Sequence, residues 1–162
     1  MVPHLFWKTK IPRRLPKGMQ EVIDRLKKSK NKEDCLRKAY DVLSKKYTGC
    51  SVYVRIPYLF IVDLNKLWSI DGGLHCTNLS YLLRVLLVKS GFFKEEDIKL
   101  KLAFIGYVSI HQYLSIRLDN DKFVNVDVWG HFHGIRLGDY AHGFHYSTFR
   151  KIAKKLKNLF HY

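Results

Sequence analysis

The sequence predicts an α+β fold in which helices come first and an antiparallel sheet follows. Apolar residues at helical spacing dominate the first half of the chain, whereas runs rich in β-branched and aromatic residues, separated by turn-forming residues, dominate residues 100–129. Such segregation packs helices against one face of a sheet. The composition agrees, because 162 residues with 47% hydrophobic and 14% aromatic content can bury one sizeable core and do not resemble a disordered chain.

The elements follow in order. Residues Val2 to Gly18 hold Pro3, Pro12 and Pro16 among Lys and Arg, which opposes regular helix and predicts an extended arm, lying on the domain or hanging free. Met19, Val22, Ile23 and Leu26 form one helical stripe, and Leu36, Ala39, Tyr40 and Leu43 a second, with Gly49 placed to end it. Val52 to Val62 is β-rich but interrupted by Pro57, and reads as an edge strand or irregular extended segment. A strong helix starts at Cys76, carries Leu79, Leu82, Leu83, Leu86 and Leu87, and meets a stop at Gly91. Strands are expected over Leu100 to Val108, His111 to Leu118 and Lys122 to Trp129, the last two joined by an Asp119-Asn120-Asp121 turn. Ser147 or Thr148 would cap a final helix with Phe149, Ile152, Leu156 and Leu159 on one face and lysines on the other. The expected organisation is a basic N-terminal extension over residues 1–32, a core over 33–146, and a basic amphipathic helix over 147–162 packed on it.

Charge is distributed unevenly. The net charge of +15 resolves into +9 over residues 1–46, +1 over 47–146 and +5 over 147–162. The central hundred residues are nearly neutral, while both ends suit an acidic partner such as nucleic acid, an anionic membrane or an acidic protein; a solvated basic surface is the competing reading. No nucleic-acid fingerprint accompanies the charge. The sequence shows neither an apolar leader in Met1 to Lys10 nor an eighteen-residue apolar run, and a soluble cytoplasmic protein is expected. Three cysteines, Cys35, Cys50 and Cys76, are too few and too scattered for a disulfide framework or a four-cysteine zinc site. His131, His133, His142 and His145 cluster near the end, and His131-Phe132-His133 has the alternation of a metal-binding pair. Without a nearby cysteine or several carboxylates they read instead as surface or cleft-lining residues, with Tyr140, Phe144 and Tyr146 beside them, and no metal or cofactor is expected.

One constellation carries chemistry. Thiol acyl transfer needs a thiolate, a base that forms it and later returns the proton, and a group that orients the base. Cys76 follows the flexible Asp71-Gly72-Gly73-Leu74-His75 segment and begins a helix, so the positive end of the helix dipole favours its thiolate and its own N–H, lacking an intrahelical acceptor, can receive an oxyanion. His111 and Asp127 flank the hairpin. A turn centred on Asn120 sets them diagonally across from each other and one centred on Asp119 sets them opposite; both keep them on one face within reach. The competing readings are a structural histidine and an aspartate paired with backbone.

At these residues the chain resembles the transglutaminase-like superfamily, whose members place Cys at the start of a hydrophobic helix, His at the opening of a later strand and Asp at the end of the next. Gly73-Leu74-His75-Cys76-Thr77-Asn78-Leu79 with Leu82-Leu83-Arg84 and Ser90-Gly91 is similar to the family's cysteine helix. His111-Gln112-Tyr113-Leu114 and Phe123-Val124-Asn125-Val126-Asp127 are similar to its His and Asp strands, so that the likeness covers residues 33–130. The resemblance implies a papain-like α+β fold and an acyl-enzyme mechanism on an amide or peptide bond of a peptide or protein substrate, in which Cys76 attacks, His111 shuttles the proton and Asp127 orients His111. The family's activities span peptide cleavage, deamidation, acyl transfer to amines and release of glycans from asparagine, and some members only bind. The chain departs from the pattern in two places. No Gln precedes the cysteine as an oxyanion donor, since the only glutamines are Gln20 and Gln112, which leaves Trp68 or a backbone group for that role; and Val128 stands where Pro often follows the Asp.

Overall fold

The computed structural model describes residues 3–50, 55–106 and 109–143. Five helices, two three-residue strands and a three-stranded sheet make up an α+β architecture. Helix α1 (Lys17–Leu26) begins behind Pro16 and buries Met19, Val22, Ile23 and Leu26, the stripe its spacing predicts. Although its residues lie within the stretch expected as a basic extension, α1 contributes four side chains to the common core. Helix α2 (Lys32–Lys46) is capped by Asn31, whose side chain accepts the Asp34 N–H at 2.9 Å. Glu33 and Asp34 sit in its first turn and Lys45 and Lys46 in its last, both matching the helix dipole.

Helix α2 stops at Lys46 rather than at Gly49. Tyr47–Gly49 forms strand β1, parallel to β2 (Gly72–Leu74), an unexpected pairing with Gly49 opposite Leu74. The extended segment expected over 52–62 is also corrected in part: Ile56–Phe60 is a 3-10 helix with Pro57 in its first turn, where a missing N–H costs nothing, and residues 51–54 lie outside the described ones. A further unexpected helix, α3 (Leu64–Ser69), is nucleated by Asp63, whose carboxylate accepts from the N–H groups of Asn65 and Lys66.

Helix α4 (Cys76–Lys89) is the centre of the molecule. Every residue from Thr77 to Leu87 is buried, the pattern of a helix covered on all sides, and α1, α2, α3 and the sheet all pack on it. The sheet runs β3 (Ile98–Ile105), β4 (Ser109–Arg117), β5 (Phe123–Val126), all antiparallel, with β4 in the middle. Leu114 and Ile116 of β4 join Ile98 and Val126 in the core shared with α4.

The hairpin register pairs Leu114 with Val126 and Arg117 with Phe123, which is the Asn120-centred alternative. Its turn places Asp121 at φ 58 and closes with Leu118 N–H donating to Lys122 O at 2.9 Å. The third strand ends at Val126, not at Trp129. Asp127 turns its carboxylate onto Gly130 N–H and so starts a short helix, α5 (Val128–His131). Residues 132–143 then fold back over the sheet. Gly138 bridges to Asn125, Tyr140 stacks on Tyr113 at 4.0 Å, and Gly143 pairs with the far edge of β3 at Phe104 and Gly106. The helix expected over 147–162, together with Phe144, His145 and Tyr146, lies outside the described residues. Among the described residues no helix is long and apolar enough to cross a membrane.

Candidate active site

Cys76 is the first residue of α4, so its N–H and those of the next two residues point out of the helix without intrahelical acceptors. The preceding His75 provides no side-chain cap. It is buried, with Nε2 against Arg55 O at 3.1 Å and Nδ1 3.7 Å from Cys50 Sγ, and burial lowers its affinity for a proton despite the Arg55 bond. The β1–β2 pairing explains how this loop is held: Cys50 N–H donates to Leu74 O at 3.0 Å, two residues before the thiol.

His111 enters from the opening of β4 and Asp127 from the end of β5. The hairpin sets them diagonally on one face, and His111 Nε2 lies 2.7 Å from Asp127 Oδ2, with each residue only 2% exposed. Asp127 is itself fixed by two backbone donors: Gly130 N–H reaches Oδ1 at 2.7 Å and Ala141 N–H reaches Oδ2 at 2.9 Å. The second donor comes from the returning loop. With Nε2 committed to Asp127, Nδ1 is the ring nitrogen left to face Cys76, whose electrostatic influence reaches the same imidazole. Burial opposes a charge on His111. The hydrogen bond to Asp127 and the electrostatic influence of Asp127 and Cys76 outweigh it, and the imidazole is pushed up to about 9. Cys76 Sγ also accepts the Gln112 N–H at 3.5 Å and remains half-buried rather than sealed.

Of the three residues singled out in the sequence, His111 and Asp127 are hydrogen-bonded to each other, and Cys76 lies beside them on the Gln112 N–H. Burial pushes up both Cys35, beside Ser90, and Cys50. Trp68 sets its ring edge-on to Tyr47 and beneath the Lys46 ammonium. Of the clustered histidines, the three described ones have different neighbours: His131 Nδ1 pairs with the Tyr40 hydroxyl at 3.1 Å, His133 packs on Trp129, and His142 lies by Tyr140. Among the described residues no three His, Cys, Asp or Glu side chains converge as metal ligands.

Three neighbours escaped the sequence reading. Trp129 lays its ring 4.8 Å from that of His111 and donates Nε1–H to Cys50 O at 2.8 Å, tying the imidazole's cover to the cysteine loop. Its position two residues after Asp127 is the only signal the sequence holds. Gln112 carried a signal in its adjacency to His111, and Ala141 carried none. No family model, no curated protein and no solved structure matches this chain.

Proposed function

We propose that this protein is a thiol-dependent hydrolase or acyltransferase of amide or peptide bonds, built on a transglutaminase-like, papain-like fold. The observation that carries the reading is the buried 2.7 Å bond between His111 Nε2 and Asp127 Oδ2, next to Gln112, whose backbone N–H donates to Cys76 Sγ. A charged imidazole facing a cysteine is the resting state of a thiolate–imidazolium pair. In the first step the Cys76 sulfur attacks the substrate carbonyl carbon, and the oxygen gains the charge that the outward N–H groups of the first α4 turn receive. His111 then passes its Nδ1 proton to the leaving amine, and the C–N bond breaks to leave a thioester on Cys76. Water, or an amine, loses a proton to His111 and attacks the thioester carbon, and the C–S bond breaks to release the acid or new amide and restore the Cys76 thiolate beside the imidazolium. Hydrolysis is the favoured outcome, because nothing in the site selects an amine over water. Asp127 holds the ring and its tautomer throughout, and the three donors on its carboxylate leave it no freedom to swing away.

The test is the iodoacetamide alkylation rate of each cysteine at pH 6, read by peptide mass spectrometry in wild type and His111→Ala. Cys76 should react at least about ten-fold faster than Cys35 and Cys50, and lose that lead without His111. Equal rates for all three thiols would sink the proposal, and a basic-end binding role for an acidic partner would then be examined through its salt dependence.

A further inference from the structure

Residues His4 to Thr9 lie against α4 and β4, and the hydrogen bonds that α4 and β4 give them end on main-chain carbonyls. Gln112 Nε2 donates to His4 O at 2.6 Å and to Leu5 O at 2.7 Å, and the buried Arg84 guanidinium donates to Thr9 O. The His4 ring stacks on Tyr81 with centroids 4.2 Å apart and planes 17° from parallel, and its Nε2 lies 3.4 Å from Ile61 O. The chain turns here, so both consecutive carbonyls face one Gln112 amide, and donors that read carbonyls impose no particular sequence.

Gln112 connects this contact to the chemistry. It follows His111 directly, its own N–H bonds Cys76 Sγ, and it is 1% exposed. Its Oε1 is buried without a hydrogen-bond partner among the described residues, so an acceptor beside the arm goes unused that a peptide N–H would satisfy. His4 stands at φ 64, a conformation disfavoured for a residue with a Cβ, which makes the arm an imperfect occupant. The surroundings are apolar. Leu102 pairs with Gln112 and Phe104 with Ile110 on the same sheet face, and all three apolar side chains are exposed. Burial pushes His4 down to about 4 against the Ile61 bond, so the ring that Tyr81 receives is uncharged.

We infer that Gln112, Tyr81 and the Leu102, Phe104 and Ile110 strip form a subsite for an apolar peptide that turns there and stacks an aromatic ring on Tyr81, filled in this chain by its own His4 and Leu5. The inference rests on the amide-bond reading only in making that peptide the substrate; binding defines the site itself.

Full-length Cys76→Ala protein is titrated against a fluorescein-labelled peptide of sequence Pro-His-Leu-Phe-Trp-Lys-Thr, with anisotropy as readout. Adding His4→Ala removes the ring that anchors the arm and should tighten binding at least ten-fold. His4→Phe keeps a ring on Tyr81 and should bind as weakly as the parent, and Gln112→Leu added to His4→Ala should abolish the gain. Equal affinity with and without His4→Ala, or indifference to Gln112→Leu, overturns the subsite. Should His4→Ala fail to fold, hydrogen exchange on the wild type decides: saturating unlabelled peptide should speed exchange in residues 3–9 by displacing the arm, and unchanged exchange refutes the inference. Cys76→Ala cannot perform thiol chemistry, so an inert Cys76 in the alkylation assay leaves this result standing, and failed peptide binding leaves the triad standing.

Discussion

Replacing Asp127 with Ala removes the acceptor on which His111 Nε2, Gly130 N–H and Ala141 N–H converge. All three donors are buried, and each buried donor left without a partner costs about 1–3 kcal/mol. Taking values near the lower end for the two amides and a larger one for the charge-assisted imidazole bond, the loss is about 4 kcal/mol. For a chain of this size that lowers Tm by roughly 8–16 °C. Asp127→Asn is the informative companion. Its single oxygen can serve the Oδ2 position, keeping His111 and Ala141, while its NH2 opposes Gly130 N–H; one bond lost and two donors facing each other amount to about 2 kcal/mol. Urea unfolding followed by tryptophan fluorescence separates the two, with wild type and both variants compared at one pH. The reasoning fails if Asp127→Ala lies within about 1 kcal/mol of wild type, or if Asn costs more than Ala, since either result means the three bonds do not converge as described.

Two more predictions concern the same region. Because the folded state raises His111 from 6.5 to about 9, its stabilisation is fully present below about pH 6.5 and disappears as pH rises through 9, a change of about 3 kcal/mol. Unfolding free energies at pH 6 and pH 9.5 should show wild type losing that much more than His111→Gln, and parallel losses in the two proteins contradict it. Gly49→Ala puts a Cβ 2.7 Å from Trp129 O and 2.8 Å from its ring, and the backbone oxygen cannot rotate away. A destabilisation of about 1–3 kcal/mol is expected, with a changed near-ultraviolet circular dichroism as Trp129 shifts off His111; an unaltered spectrum and stability count against the close approach.

Much of the site was legible in the chain because its parts obey local, periodic rules. The leucine stripe from Leu79 to Leu87 defines a buried helix whose start falls at Cys76, and Asp119-Asn120-Asp121 makes a hairpin whose arithmetic returns His111 to Asp127. The prolines of the N-terminal arm were legible as opposing helix up to Pro16, but the turn at its start and its docking on Gln112 were not. Strands β1 and β2 were missed because three residues carry no period, and their pairing joins segments more than twenty residues apart. The end of β5 was misplaced for a different reason: Asp127 meets a helix N-terminus at Gly130, and capping won over the β-propensity of Val128 and Trp129.

The amino-acid sequence by itself determined which residue types stand at the helix start and on the two strands, because side-chain period and turn chemistry act within a dozen or so residues. Only the tertiary structure decided what surrounds them: the Asn120-centred register, the Ala141 N–H on Asp127, the Trp129 ring over His111 and the Gln112 amide on the arm. Each of those is a contact between segments with no shared pattern. Such partners are selected by the packing of whole elements around α4, and the free energy that chooses them belongs to the assembled core rather than to any stretch of the chain.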